Sequence, residues 1–140
     1  MGVHHTSYIE ISSRGFSDII DITSDVESAL ASSGLTHGLL TVFVPGSTGS
    51  VTTIEYEGGV VEDLREAIER LVPSDRAYRH DLKWGDGNGF SHVRAALFKP
   101  GLTLPFSDGR LVLGTWQQIV FIDFDNRPRN RRLVVQLVGD

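Results

Sequence analysis

Apolar and polar positions alternate along several short segments of the chain, and this period of two is typical of strands with one buried face. Tyr8 and Glu10 alternate with Ile9 and Ile11, whereas 39–44 is an unbroken run rich in apolar residues. Such a run predicts a strand that is buried on both faces. The full set of predicted strands covers 5–12, 39–44, 51–57, 102–106, 110–113, 116–124 and 132–138.

Two segments carry the longer apolar period of a helix. Ser24 and Glu27 form a capping-box pattern and Gly34 supplies a stop signal, which together predict a helix over 24–33. In the second segment, apolar residues recur at helical spacing until Pro73 ends the helix. They are Val61, Leu64, Ile68 and Leu71.

The glycine-rich segment 81–90 predicts a loop, and the apolar segment 93–98 fits either a helix or a strand. Many strands and two helices, without strict βαβ order, predict an α+β domain of two packed layers. No linker or repeat interrupts the pattern, so we expect residues 1–140 to form a single domain.

Composition narrows the class of protein. The 140 residues are 40% apolar and 22% charged, as in ordinary globular domains. The chain contains no run of 18 apolar residues, which a membrane-spanning helix would need. The N-terminus also lacks the pattern of a signal peptide, so we expect a cytoplasmic protein. The absence of cysteine excludes disulfides and zinc–thiolate sites. The absence of Cys, a single Met and eleven Arg against two Lys also suit a hot environment, although this signal is weak.

Charge is distributed unevenly. Residues 1–70 hold 11 acids and 3 bases, whereas 71–140 hold 7 acids and 10 bases, within a net charge of −5. An acidic chain without a recognised motif argues against nucleic-acid binding. Four arginines nevertheless lie within 126–132, and Arg129 and Arg131 among them are candidates to bind a phosphate. A solvated turn, or salt bridges to a neighbouring subunit, explains the same cluster.

Two further groups of residues suggest chemistry. His80, His92 and Glu55 are the residue types of an open catalytic metal site, although their spacing also fits two ordinary histidines. The loop between the second and third predicted strands carries Ser47 and Thr48, whose hydroxyls are candidate ligand contacts. That loop lacks the P-loop pattern, so a tight strand connection is the competing interpretation.

The C-terminal half carries the motifs of a known family. The run Leu-Gly-Thr-Trp-Gln at 113–117, followed by Phe-Asp-Asn-Arg-Pro-Arg-Asn-Arg at 124–131, resembles the signature of the YjbQ-like family, also called secondary thiamine-phosphate synthase. Matches elsewhere extend the resemblance over about 5–139. They include Arg14-Gly15, Asp21-Ile22-Thr23, Ser33-Gly34, 42–45, Glu55, Asp63-Leu64, Tyr78, His80, Gly87-Asn88, His92 and 108–111.

The resemblance implies an α+β fold, a β-sandwich of mostly antiparallel strands with two main helices, assembled as a homotrimer. It implies weak thiamine-phosphate synthesis from hydroxymethylpyrimidine diphosphate and a thiazole phosphate. The implied catalytic or metal-binding residues are His80, His92 and Glu55, with Zn or Mg as the candidate metal. Contacts to a small phosphorylated metabolite are then expected from Ser47, Thr48, Trp116, Gln117, Arg129 and Arg131.

Two positions depart from the family pattern. Gly46 stands where many members have a histidine, and Ile54 stands where they have an asparagine before Glu55. The missing imidazole favours an alternative in which the protein is a non-catalytic trimer that binds a phosphorylated or anionic ligand. A Trp such as Trp116 at the start of a strand is also often a core residue.

Overall fold

Eight strands form two antiparallel sheets in a computed structural model that describes residues 2–140. The larger sheet has the order β1-β8-β3-β5-β6, and the smaller sheet has the order β2-β7-β4. The strands are β1 (Val3–Ser13), β2 (Asp18–Asp21), β3 (Gly38–Phe43), β4 (Gly49–Ile54), β5 (Gly101–Ser107), β6 (Arg110–Leu111), β7 (Gln118–Asp123) and β8 (Arg129–Gly139). The helices are α1 (Thr23–Ser33), α2 (Gly58–Leu71), α3 (Arg79–Trp84) and α4 (Gly89–Phe98).

Side-chain alternation sets the register of the larger sheet. β1 pairs with β8 along its whole length, from Val3 opposite Gly139 to Ser13 opposite Arg129. This register places Ile9 opposite Leu133, and both side chains are buried. A shift by one residue would turn every buried side chain to solvent, so the apolar pattern fixes the pairing.

The central strand β7 is buried on both faces. Ile119 and Phe121 pack in the cluster shared with the larger sheet and α1, whereas Val120 and Ile122 pack with Ile68 of α2 and the C-terminal half of α4. Each such side chain contributes roughly 1.5–3 kcal/mol relative to an exposed one. The helices α2 and α4 therefore add a third layer, and β7 is the rigid strand from which the candidate site extends.

Several predicted elements are confirmed, and the start of α1 is corrected. The helix predicted over 24–33 is α1, and Gly34 ends it with a φ of 71°. The capping box at Ser24 is wrong, because α1 has no side-chain cap and begins at Thr23. Asp21 instead accepts hydrogen bonds from the backbone nitrogen (3.0 Å) and hydroxyl (2.6 Å) of Thr23.

The predicted loop over 81–90 is also wrong. α3 continues through Trp84 until Gly85 ends it with a φ of 72°, and α4 begins at Gly89.

The segment of undecided type at 93–98 lies in α4, and the strand predicted from 116 begins at 118. β2 had no alternating pattern to predict it. Within residues 2–140 no helix is long and apolar enough to cross a membrane.

Candidate functional site

The histidines of the predicted site meet where α3 packs against α4. The ring centroids of His80, on α3, and His92, on α4, are 4.4 Å apart. Gly89 permits this approach, because a Cβ at that position would lie 2.6 Å from the Cβ of Tyr78 and 3.2 Å from that of His80. The sequence thus places its smallest residue where the two helices come closest.

Two carboxylates flank His80. Its Nδ1 is 3.4 Å from Oδ1 of Asp81 and 3.4 Å from Oδ1 of Asp86. Asp81 is fixed in place because its Oδ1 accepts a hydrogen bond of 2.8 Å from the backbone nitrogen of Gly89. One donor atom from each of the three side chains lies within 4.8 Å of the others.

The environment of His92 favours its neutral form. Burial lowers the pKa of His92 below its ordinary value of 6.5, and the nearby charge of His80 lowers it further. Three carboxylates offset only part of this effect, namely Asp125, Asp86 and Asp81. At neutral pH, His92 is therefore an unprotonated imidazole that can accept a proton or bind a cation.

A buried polar network continues from this site to the C-terminal end of β7. Arg131 donates from Nε and Nη2 to the two carboxylate oxygens of Asp123, each at 2.8 Å, and Asp123 is fully buried. Nη2 of Arg129 lies 2.6 Å from Asp125, which is also fully buried. Asn88, directly before α4, donates to Asp125 at 3.1 Å and links the network to the histidines.

Asp125 keeps its negative charge in this network. Burial by itself would raise the pKa of Asp125, but hydrogen bonds outweigh it and hold the pKa below the ordinary 3.8. The donors are Asn88, the backbone of Asn126 and Arg129. Arg129 and Arg131 thus form ion pairs within the chain, and neither belongs to a merely solvated turn.

The loop between β3 and β4 joins the same network. Thr48 is buried, and its Oγ1 accepts a hydrogen bond of 2.7 Å from Nη2 of Arg131. Ser47, in the same loop, is exposed to solvent. Gly46 has a φ of 138°, and a Cβ there would meet only Nη1 of Arg131, at 3.7 Å. Many members of the family that the sequence resembles have a histidine at this position. In this chain, Gly46 leaves that space empty beside the guanidinium of Arg131.

The remaining predicted residues lie at the opposite end of β7. Gly49 pairs with Asp123 and Ile54 pairs with Gln118, so Glu55 and the 116–117 turn are separated from the arginine end by about 17 Å of strand. Trp116 is 72% exposed and therefore not a core residue. Gln117 donates to Oγ1 of Thr53 at 3.1 Å. Within one chain, the structure does not bring Glu55, Trp116 or Gln117 to the two histidines.

Other residues that the sequence did not single out complete the pocket. A cavity of about 510 Å³ is lined by Arg76, Ala77, Tyr78, Arg79, His80, Gly89, His92 and Val93. Arg76 and Arg79 give this cavity a positive rim, whereas Asp81 and Asp86 give His80 a negative flank. The sequence held a signal that could have identified these four charged residues, because all of them lie within six positions of His80.

Comparison with known proteins finds relatives along most of the chain. The model of a family described as UPF0047 protein YjbQ-like matches residues 7–140. A UPF0047 protein of Archaeoglobus fulgidus is 40% identical over 119 residues, which cover 85% of this chain and 90% of that protein. Another, of Methanothermobacter thermautotrophicus, is 41% identical over 122 residues, covering 87% and 83%.

Solved structures show the same architecture. A crystal structure of a YbjQ-like protein of unknown function from Sulfolobus solfataricus has a TM-score of 0.95 at 28% identity, with full coverage of both chains. A hypothetical protein from Aeropyrum pernix has a TM-score of 0.90 at 31% identity, covering 97% of this chain and 99% of that one. These likenesses show that the fold is shared.

Proposed function

The chain belongs to the YjbQ-like UPF0047 family, and from this premise we propose that it is a transferase for small phosphorylated metabolites, of the thiamine-phosphate synthase type. The observation that carries the proposal is the 510 Å³ pocket, in which His80 and His92 lie beside Arg76 and Arg79. Guanidinium and imidazole groups together suit a ligand that carries phosphate.

The chemistry requires stabilisation of a leaving group. The thiazole nitrogen forms a bond to the methylene carbon of the pyrimidine while the bond from that carbon to the diphosphate oxygen breaks. The electron pair leaves with pyrophosphate, so negative charge accumulates on the departing oxygen. Fixed positive groups aimed at that charge lower the barrier. In this proposal Arg76 and Arg79 hold the diphosphate, and neutral His92 accepts a hydrogen bond from the bound substrate.

The other predicted residues have supporting roles in the proposal. Arg129 and Arg131 neutralise Asp125 and Asp123 and so fix the wall of the site, while Nη1 of Arg131 lies below the open Gly46. Ser47 and Thr48 border this opening. Contacts from Glu55, Trp116 and Gln117 would have to come from a neighbouring copy, since these residues lie at the far end of β7.

We therefore propose the homotrimer that the family resemblance implies, in a cytoplasmic protein. The outer face of the larger sheet supports self-association, because it exposes Leu39, Phe43 and Val138, each more than 40% accessible. Exposed apolar side chains on one face are typical of interaction surfaces. Sedimentation equilibrium tests this part, with a mass of three chains expected and a monomer at all concentrations as the contrary result.

Turnover tests the activity. Purified protein is incubated with hydroxymethylpyrimidine diphosphate and thiazole phosphate, with and without added Mg²⁺ or Zn²⁺, and thiamine phosphate is quantified. We expect product from wild type, its loss in His92→Ala and its retention in His37→Ala, whose imidazole is exposed outside the pocket. Equal product from the two variants would remove His92 from the site.

The second candidate function is non-catalytic binding of a phosphorylated ligand. It is favoured by Gly46, which opens the loop toward Arg131 where a histidine is expected. A binding protein would show a rise in melting temperature with inorganic pyrophosphate but no product from the two precursors.

A further inference from the structure

We infer that a divalent cation binds this chain through Nδ1 of His80 and the carboxylates of Asp81 and Asp86. The inference deepens the proposed function by naming a cation beside its pocket. It also replaces the ligand set expected from the sequence, since Glu55 lies at the far end of β7 and both carboxylates come from the α3–α4 segment.

The distances fit a coordination shell. For metal–ligand bonds of about 2.1 Å, the ligands of a tetrahedral ion are about 3.4 Å apart. Nδ1 of His80 is 3.4 Å from one oxygen of each carboxylate. A hydrogen bond to Asp81 accounts for one of these two contacts, but the same Nδ1–H cannot also point at Asp86.

The fold holds both carboxylate segments in place. Asp81 is anchored by the backbone nitrogen of Gly89 at 2.8 Å. The loop that bears Asp86 is anchored at its backbone oxygen by Nδ2 of Asn126, at 2.9 Å. The two carboxylates repel each other, and these hydrogen bonds hold them close despite the repulsion. A bound cation would offset that repulsion.

A second observation comes from Asn88, in the same loop. Asn88 is only 6% exposed, and its amide nitrogen donates to Asp125. Its Oδ1 is buried without a hydrogen-bond partner. Buried acceptors are normally satisfied, and an orphaned amide oxygen between Asp86 and Gly89 fits a ligand or metal-bound water in this loop.

The donor set indicates the class of cation. One imidazole and two carboxylates suit Zn²⁺, a borderline ion, and Mn²⁺, a hard ion that binds carboxylates, better than Mg²⁺, which prefers oxygen ligands alone. Three protein ligands leave positions for water or for a phosphate oxygen. Because His80 also lines the pocket with Arg76 and Arg79, a bound cation would lie next to a diphosphate held there.

Calorimetric titration of metal-free protein with Zn²⁺ and with Mn²⁺ tests the inference. We expect one site per chain, and affinity at least about tenfold lower in Asp86→Asn and in His80→Ala. Asp86 is the better probe, because its side chain is half exposed and the substitution leaves the packing intact. The matched control is Asp75→Asn, an exposed carboxylate outside the cluster, with unchanged affinity expected.

Wild-type protein that binds neither ion, or an Asp86→Asn variant that binds as tightly as wild type, would overturn the inference. Its failure is distinguishable from failure of the proposed function. Tight, Asp86-dependent binding without thiamine phosphate supports the cation site and contradicts the transferase. If the protein binds no metal but forms thiamine phosphate in excess chelator, the transferase is supported and the cation site is contradicted.

Discussion

His80 and His92 come from separate helices, yet their rings lie 4.4 Å apart and are tilted by 35°. Besides burial, the nearby charge of His80 lowers the pKa of His92, because like charges at short range repel. Carboxylates on α3 and after β7 surround the pair. The pKa of His92 therefore lies below its ordinary 6.5, and this side chain is neutral at pH 7.

The first prediction concerns stability and pH. Because the pKa of His92 in the folded chain lies below its ordinary value of 6.5, the unfolded chain takes up the proton first as pH falls. The contribution of His92 is fully present above about pH 6.5 and is lost progressively down to the folded-state pKa. Urea unfolding at about pH 7.5 and 5.5 should show a smaller decrease for His92→Gln than for wild type. An identical decrease would contradict the lowered pKa.

The second prediction compares two neighbouring arginines. Arg131→Met leaves the fully buried Asp123 without its partner, and we expect a loss of about 3–5 kcal/mol in the free energy of unfolding. Arg132→Met removes an exposed pair with Glu10 and a cation–π contact to Tyr8, so we expect a loss of roughly 1–2 kcal/mol. Denaturant titration measures both. Equal losses would show that burial does not govern the Arg131 pair.

The third prediction concerns the contact between α3 and α4. Gly89→Ala places a methyl group 2.6 Å from the Cβ of Tyr78, so α3 must move away and the chain should lose about 1–3 kcal/mol of stability. The matched control is Gly58→Ala at the start of α2, where a Cβ meets nothing within 4 Å. We expect that variant to be neutral or slightly more stable. Thermal unfolding of the two variants decides, and a stable Gly89→Ala chain would contradict the close packing.

The fourth prediction concerns the positive rim of the pocket. The double variant Arg76→Ala, Arg79→Ala should bind inorganic pyrophosphate at least about tenfold more weakly than wild type, because charged hydrogen bonds are lost. Arg70→Ala is the control, since Arg70 is exposed on α2 and lies outside this cavity. Calorimetry gives the affinities. If Arg70→Ala weakens binding as much as the double variant, the pyrophosphate is held elsewhere.

Much of the fold could be predicted from the sequence, because buried and exposed side chains alternate along β1, β3 and β8. The missing helix α3 shows the limit of that reasoning. It exposes Leu82 and Trp84, so its own residues carry no buried stripe, and its packing depends on Gly89. Glycines that signal a loop in the sequence act here as a helix stop at Gly85 and as a contact at Gly89.

The candidate site was predictable only in part. The histidines were identified, but their proximity depends on tertiary packing of α3 and α4, which spacing does not encode. Glu55 follows β4 at the end opposite to Gly49, and the antiparallel pairing with β7 carries it away from the site. Alternation along β8 explains the arginines, because Arg129 and Arg131 share a face toward the buried aspartates while Arg132 points to Glu10.

We have proposed that the pocket between α3 and α4 binds a phosphorylated ligand beside a cation. The most direct measurement is a crystal structure of the wild-type protein soaked with Mn²⁺ and inorganic pyrophosphate, with anomalous scattering to locate the ion. We expect Mn²⁺ at His80, Asp81 and Asp86, with pyrophosphate against Arg76 and Arg79. Pyrophosphate bound instead in the cleft beside Gln117 at the other end of β7, with no ion at His80, would contradict it.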